Sequence, residues 1–269
     1  MPAMYAHYVF GDEVLPQLDS SIKRIVNSHR ELFNLGLQGP DFYFYDQLFY
    51  LKKKSLALIG SALHRQSCGS LVYFFERNGA RHLDSESLAY VIGVVGHFSL
   101  DSTCHPHIDE WVETLPYNHM RLETEFDRLL LERNGENARS FPLGDCFAST
   151  KHEREVIAKL YDGHGSARDI AHLVRDYAFL KNIMRTPWDG QYDFYQKVLT
   201  TFNADKLGGV FMGEKDTLSD YTNPRLMALF EQAKPVFVKL ASNFMDHHFN
   251  GAPLDSYFDR DFEVLPEGV

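Results

Sequence analysis

The sequence is short of sulfur, of tryptophan and of positive charge. Its three cysteines, Cys68, Cys104 and Cys146, are odd in number and contain no CxxC pair, so neither a disulfide framework nor a thiolate zinc site is expected. Lys and Arg total 27 against 37 Asp and Glu, a net charge of −10. That balance argues against broad binding to nucleic-acid backbones, which requires a basic face. Long hydrophobic runs are also missing. The longest, residues 88–100, is interrupted by Gly93, Gly96 and His97 and is too short to span a bilayer, so no transmembrane segment is expected. The first residues, MPAMYAHYVFGDEVLPQLDSS, have no basic stretch, apolar run or small-residue cleavage site of a secretory leader. A cytoplasmic location is the expectation. Neither an internal repeat nor a low-complexity segment is present.

What the chain does have is histidine, 13 in all, and aromatic residues at 14%. Hydrophobic residues at 44% and charged residues at 24% are ordinary for a globular protein and exclude a disordered one. Helical periodicity dominates. Val14, Leu15, Leu18, Ile22, Ile25 and Val26 recur at helical spacing, with Asp12 placed to cap that helix. Further helices are expected over about 55–65, closed by Gly69, and over 85–104, 119–133, 151–160, 166–183, 192–199 and 225–248. The 85–104 helix is apolar nearly all round and should be buried, with Pro106 ending or bending it. Alternating runs at 42–45 and 71–75 are short for strands. Lys52-Lys53-Lys54 reads as a solvated helix start. The fold expected is all-α: one multi-helix domain over 1–250 and a polar tail over 251–269.

The chemistry concentrates in residues 96–109, GHFSLDSTCHPHID. His97, Asp101 and His105 are spaced i, i+4, i+8, nearly one stripe of a helix. Two imidazoles and a carboxylate inside an apolar helix are costly unless something satisfies them, and a metal ion is the economical partner. HMRLE, residues 119–123, places His119 and Glu123 on one helical face, and Asp127 extends it. Upstream, His7 starts the first helical region, Asp41 sits among aromatics in LGLQGPDFYFYD, and His64 ends ALIGSALH. His247-His248 read as a dipole preference at the end of the last helix, and His152, His164 and His172 are scattered and lack ligand spacing. The run YDGHGSARD lacks the GxxxxGK pattern of a phosphate loop and reads as a turn between helices.

With these pieces in order, the chain resembles the zinc-dependent phospholipase C family, which shares its fold with single-strand-specific nucleases. The order His, Asp, His, HxxxD, His, HxxxE matches His7, Asp41, His64, His97 and Asp101, His105, and His119 and Glu123, over about the first 130 residues; GPDF and GSALH resemble uncharacterised bacterial members. The resemblance implies an all-α bundle of that type and two or three zinc ions. Asp41, His64, His97 and Asp101 would hold one, His105, His119 and Glu123 a second, and Asp101 would bridge to a third that His7 also binds. Nitrogen and oxygen ligands suit zinc, and also manganese or iron. In secreted members the histidine after the bridging aspartate comes six residues later, which selects His107 here. The i+4 stripe selects His105, and we prefer it. Those members also give the third ion an N-terminal amine freed by leader cleavage, whereas this chain starts Met1-Pro2.

The activity implied is phosphoester hydrolysis: clustered divalent ions acidify a water that attacks a phosphodiester, with Asp41 accepting the proton. Phe42 and Phe44, with Tyr43 and Tyr45, would line the pocket for a base or an acyl chain, or else pack the core. The substrate expected is a small phosphoester or phospholipid. A nuclease or nucleotidase on the same cluster, and a metal-binding helical protein without turnover, are the alternatives. No amphipathic basic helix in the sequence points to a membrane surface.

Overall fold

A computed structural model describes residues 4–47, 56–79, 83–116, 118–202 and 204–262. The chain is all-α, with no strand among the described residues. Eleven α-helices are described: α1 (Met4–Val14), α2 (Ser20–Ser28), α3 (Arg30–Gly36), α4 (Ala57–His64), α5 (Cys68–Asn78), α6 (Ser85–Thr114), α7 (His119–Arg133), α8 (Lys151–Leu160), α9 (Ala167–Ile183), α10 (Gln191–Thr201) and α11 (Ser219–Asn250). None is long and apolar enough to cross a membrane. The lysine run 52–54 lies outside the described residues.

The axis of the bundle is α6. Its apolar circumference (Leu88, Val91, Ile92, Val95 and Phe98, all buried) has no polar face to offer water, so it takes the centre. α3 and α11 pack along it, joined by α1, α2, α5, α7 and α8. The α3 crossing is close. A Cβ at Gly93 would meet the backbone of Phe33 and Gly36, and one at Gly36 the backbone of Tyr90. Glycine at both positions lets the two backbones touch and delivers the 37–41 turn onto the middle of α6.

Several expectations need correction. Asp12 lies inside α1, paired with Arg30; the helix expected around residues 14–26 is broken by Pro16 in a 3-10 turn, Leu15–Gln17, before α2 begins after Asp19. α3 was not anticipated from the sequence. Gly69 does not close a helix but lies within α5, as does the strand-like run at 71–75. Residues 42–45 form part of a 3-10 segment, Asp41–Gln47. α6 runs eight residues past Pro106, because Ile108 and Trp111 are buried beyond it and packing outweighs one lost backbone bond. α11 likewise contains Pro224 and Pro235. α7 and α8 match the expected bounds, α8 opening with a capping box between Thr150 and Glu153.

The segment from Gly251 is not simply a polar tail. Phe258 and Phe262 are buried in the main core, the backbone amide of Phe262 donates to the His64 carbonyl at 3.1 Å, and that of Cys68 donates to the Arg260 carbonyl at 2.9 Å. This strap seals the junction of α4 and α5.

Candidate metal centre

Helix periodicity and the 37–41 turn bring seven of the eight expected ligand residues into the interior, and His119 to its edge. His7, His64, His97, Asp101 and His105 are buried, as are Asp41 and Glu123, while His119 is half-buried. They form three groups whose ligand atoms lie within 4.8 Å of one another: His7, His97 and Asp101; Asp41, His64 and His97; and His105, His119 and Glu123.

Each group follows from local structure. On α6, His97 and Asp101 stand one turn apart, with His97 Nε2 3.1 Å from Asp101 Oδ2. The other oxygen, Oδ1, lies 3.2 Å from His7 Nε2 on α1, and His105 Nε2 lies 4.0 Å from Oδ2. Asp101 therefore faces histidines from both other groups. The imidazoles of His7 and His97 stack at 4.4 Å. Asp41, brought in by the turn, lies 3.0 Å from His64 Nε2 and 3.8 Å from His97 Nε2. Across the start of α7, His119 Nε2 lies 2.7 Å from Glu123 Oε1.

Outer hydrogen bonds set the tautomers. His97 Nδ1 meets the Leu37 carbonyl at 3.1 Å and His64 Nδ1 the Gly60 carbonyl at 2.8 Å. A carbonyl only accepts, so both Nδ1 atoms carry a proton and both Nε2 atoms face the cluster, His64 Nε2 donating to Asp41 Oδ1 at 3.0 Å; a metal ion would take the place of that proton. The turn itself is tied down: Tyr177 donates to Gln38 Oε1 at 3.0 Å and Gln38 Nε2 to the Met4 carbonyl at 3.4 Å.

Does this donor set fit metal ions? Both ring nitrogens of His7, Nε2 of His97 and of His105, and both oxygens of Asp101 are buried without a hydrogen-bond partner. Some are within 3.2 Å of one another, but out of line for hydrogen bonding. Buried polar atoms are nearly always satisfied, and leaving even one unmade costs roughly 1–3 kcal/mol. Six unsatisfied atoms in one place are intelligible if divalent cations satisfy them. The donors are nitrogen and oxygen; the three cysteines are free and take no part. The charge balance of the metal-free site reflects the crowding. Burial and the neighbouring His97 push the pKa of His7 down. Burial also works against protonation of His97, but the Asp101 and Asp41 carboxylates outweigh it and raise the pKa. Burial would raise that of Asp101, yet His97 and His7 hold it well below the usual carboxylate range.

His107, the alternative to His105, points elsewhere: it is partly exposed and its Nε2 accepts from Arg225 at 3.2 Å. Asp127, expected to extend the α7 stripe, instead accepts from the backbone amides of Tyr5 and Ala6 at 3.1 and 2.8 Å. It caps the start of α1 and so holds His7 in place. Phe42 is a core residue, stacked on Tyr43 at 4.6 Å and edge-on to Tyr161 at 5.4 Å. Phe44 is half-buried, its ring 5.1 Å from that of His64. Two neighbours escaped sequence reasoning. Phe262 packs on His64 and His97 with centroids at 5.4 and 5.7 Å; nothing in its local sequence marks it. Lys181 sits over the Tyr45 ring at 5.4 Å. Burial opposes its charge, but Tyr45, Asp127 and Glu123 together raise its pKa.

The fold and this centre define a helical protein built around a histidine–carboxylate cluster suited to several divalent ions. The model of the zinc-dependent phospholipase C family matches residues 6–180, and the chain belongs to that family. The match takes in every ligand residue above and stops before α10, α11 and the C-terminal strap. No curated protein matches the chain, and no solved structure does.

Proposed function

We propose that the protein is a zinc-dependent phosphoester hydrolase that cleaves phosphodiesters, with a phospholipid or small phosphodiester as substrate. The observation that carries this reading is the buried convergence of unsatisfied ligand atoms from His7, His97, Asp101 and His105. Family membership names the chemistry. Asp41, His64, His97 and Asp101 would hold one ion, His105, His119 and Glu123 a second, and His7 with Asp101 a third. Bound zinc supplies Lewis acidity to the phosphoryl oxygens and acidifies water near neutral pH.

The chain's own residues do the rest. Asp41 holds one oxygen against His64 and accepts the proton of the attacking water. The Nδ1–H bonds of His64 and His97 to backbone carbonyls keep their rings from turning away. Phe44, beside His64, forms one wall for the substrate. Lys181 adds a positive charge on the Glu123 side that attracts a phosphate in a protein of net negative charge.

The test has two parts. Protein purified without chelator should contain two or more equivalents of zinc, and His97→Ala and Glu123→Ala should lose part of it. Hydrolysis of bis(p-nitrophenyl) phosphate should fall roughly 10²–10⁴-fold in Asp41→Asn, the usual loss on removing a proton acceptor. Unchanged hydrolysis in Asp41→Asn and His97→Ala would refute the assignment. Cleavage of single-stranded DNA faster than of the small diester would move the substrate to a nucleic acid on the same cluster.

A further inference from the structure

Away from the metal centre, α8 and α9 enclose an open trough of about 610 Å³. Its rim carries Lys151, Arg154, Lys159, Arg168 and Arg175 against two acids, Glu155 and Asp162. In a chain where acids outnumber bases by 37 to 27, that is a local reversal of sign. Lys151 pairs with Glu155 at 3.5 Å and Arg175 with Asp176, while Lys159 and Arg168 are exposed with no carboxylate at ion-pair distance among the described residues. The floor is apolar, from Ala158, Ala167 and Ala171.

The outer stripe of α9 continues this pattern. Arg168, His172, Arg175, Phe179 and Ile183 are spaced by four, three, four and four residues, which sets them on one face about 22 Å long. The first half is basic and the second apolar. Phe179 is 61% and Ile183 46% exposed. Six of the eleven exposed large hydrophobics fall within residues 179–202: these two, Trp188, Phe194, Val198 and Phe202. Phe194 and Val198 stand one turn apart on α10, with Phe202 just past its end, and α10 has no buried residue. Phe179 and Ile183, one turn apart on the same face as the basic residues, make that face apolar as well as charged, the composition of an interaction surface.

We propose that this α8–α9 face docks on an anionic phospholipid bilayer, its basic half on the headgroups and Phe179 and Ile183 in the acyl boundary. The pairing of a basic rim with exposed phenylalanine and isoleucine on one face is what an interfacial helix requires. The rim works despite the overall charge because it lies within a screening length of the headgroups, about 8 Å at physiological salt. The choice of lipid over another polyanion rests on the phosphodiesterase reading above; the docking itself does not require turnover.

Sedimentation with vesicles of phosphatidylcholine and of phosphatidylcholine with 30% phosphatidylglycerol tests it, using the zinc-loaded full chain. Binding to the anionic vesicles should weaken as salt rises. It should fall roughly 30-fold in Arg168→Gln/Arg175→Gln, about tenfold or less per charge removed, and also fall in Phe179→Ser/Ile183→Ser. None of these residues lies in the metal centre, so hydrolysis of a soluble diester should stay at the parent level, which also shows that the variants fold. No binding to anionic vesicles in physiological salt, or equal binding by parent and variants, overturns the proposal. So does tighter binding to an acidic peptide or to DNA than to vesicles. His97→Ala separates the two readings, since it should lose hydrolysis but bind vesicles like the parent. If the parent itself hydrolyses nothing yet binds vesicles through these residues, the docking face stands and the enzymatic reading falls.

Discussion

Gly39 ties the backbone turn to the metal centre, and its replacement by alanine gives a measurable consequence. Its φ is +51°, a left-handed conformation that costs an L-residue about 1–2 kcal/mol. A Cβ there would also stand 2.6 Å from His97 Nε2 and 2.8 Å from Cγ, with Cδ2 nearer still. The ring cannot easily retreat, because Nδ1 is held by the Leu37 carbonyl and Phe262 packs against it. Overpacking of this kind adds about 1–3 kcal/mol, for a total of about 2–5 kcal/mol. Gly135 supplies the control: its φ is +78°, but a Cβ would meet nothing within 4 Å. Gly135→Ala should therefore lose only the conformational part, about 1–2 kcal/mol. Guanidinium unfolding of the two variants isolates the clash as their difference. Zinc analysis and competition with a chromophoric chelator then report whether His97 has moved, with Gly39→Ala losing zinc and Gly135→Ala retaining it. Equal destabilisation of the two variants, with zinc retained in both, would refute the placement of His97 beneath the turn.

Three further outcomes follow from the same geometry. His105→Ala should lower zinc content and His107→Ala should leave it unchanged, since His107 meets Arg225 instead; the reverse result would return the ligand to the spacing of secreted relatives. Phe262→Ala should destabilise the chain by about 3–5 kcal/mol and loosen His64 and His97, seen as weaker zinc affinity, whereas Phe258→Ala, whose ring packs on Phe98, should destabilise it with less effect on zinc. Burial pushes Asp127 up to about 7 from 3.8, against the pull of two amides. A folded pKa above the unfolded one means that this group's stabilisation is complete below about pH 4 and is lost as pH rises towards about 7. In metal-free protein, Asp127→Asn should flatten the stability profile across that window. It should also lose about 1–3 kcal/mol, because an amide cannot accept from both Tyr5 and Ala6. A profile unchanged in slope would show that the carboxyl is not buried as described.

The helices that read most clearly from the sequence were those bounded by side-chain chemistry. α7 begins after Asn118, whose side chain accepts from the Arg121 amide, and α8 after the Thr150 box, so their ends are written locally. The ends of α6 and α11 are not. Proline at 106, 224 and 235 argues for a stop, and only the burial of residues such as Ile108, Trp111 and Phe237 outweighs it, which is information from elsewhere in the chain. The candidate metal centre divides in the same way. Helical spacing alone puts His97, Asp101 and His105 on one face and His119 and Glu123 on another, and the structure groups them accordingly. His7 reaches the site from α1, Asp41 by the 37–41 turn and His64 from the end of α4, so only their order along the chain, matched to a family, points to them. Phe42 lies beside a ligand candidate in sequence but is buried against Tyr43 and Tyr161, the core-packing alternative that an aromatic run cannot distinguish from a pocket wall.

The docking face was invisible for a related reason. No single helix of the chain is both basic and apolar along its whole length, so the sequence shows no interfacial helix. The amphipathic surface arises only when α8 lies antiparallel beside α9 and adds Lys151, Arg154 and Lys159 to the two arginines of the α9 stripe. Lys181, on the same helix as that stripe, lies towards Tyr45 and Glu123 instead. α9 thus carries an exposed basic and apolar face and, near its C-terminal end, an ammonium beside the metal centre. A helix so placed would set the distance between a bound bilayer and the centre. Lys181→Gln removes that charge without touching the outer stripe, so hydrolysis of vesicle lipid should fall while vesicle binding stays at the parent level; a parallel loss of vesicle binding would refute the separation of the two faces.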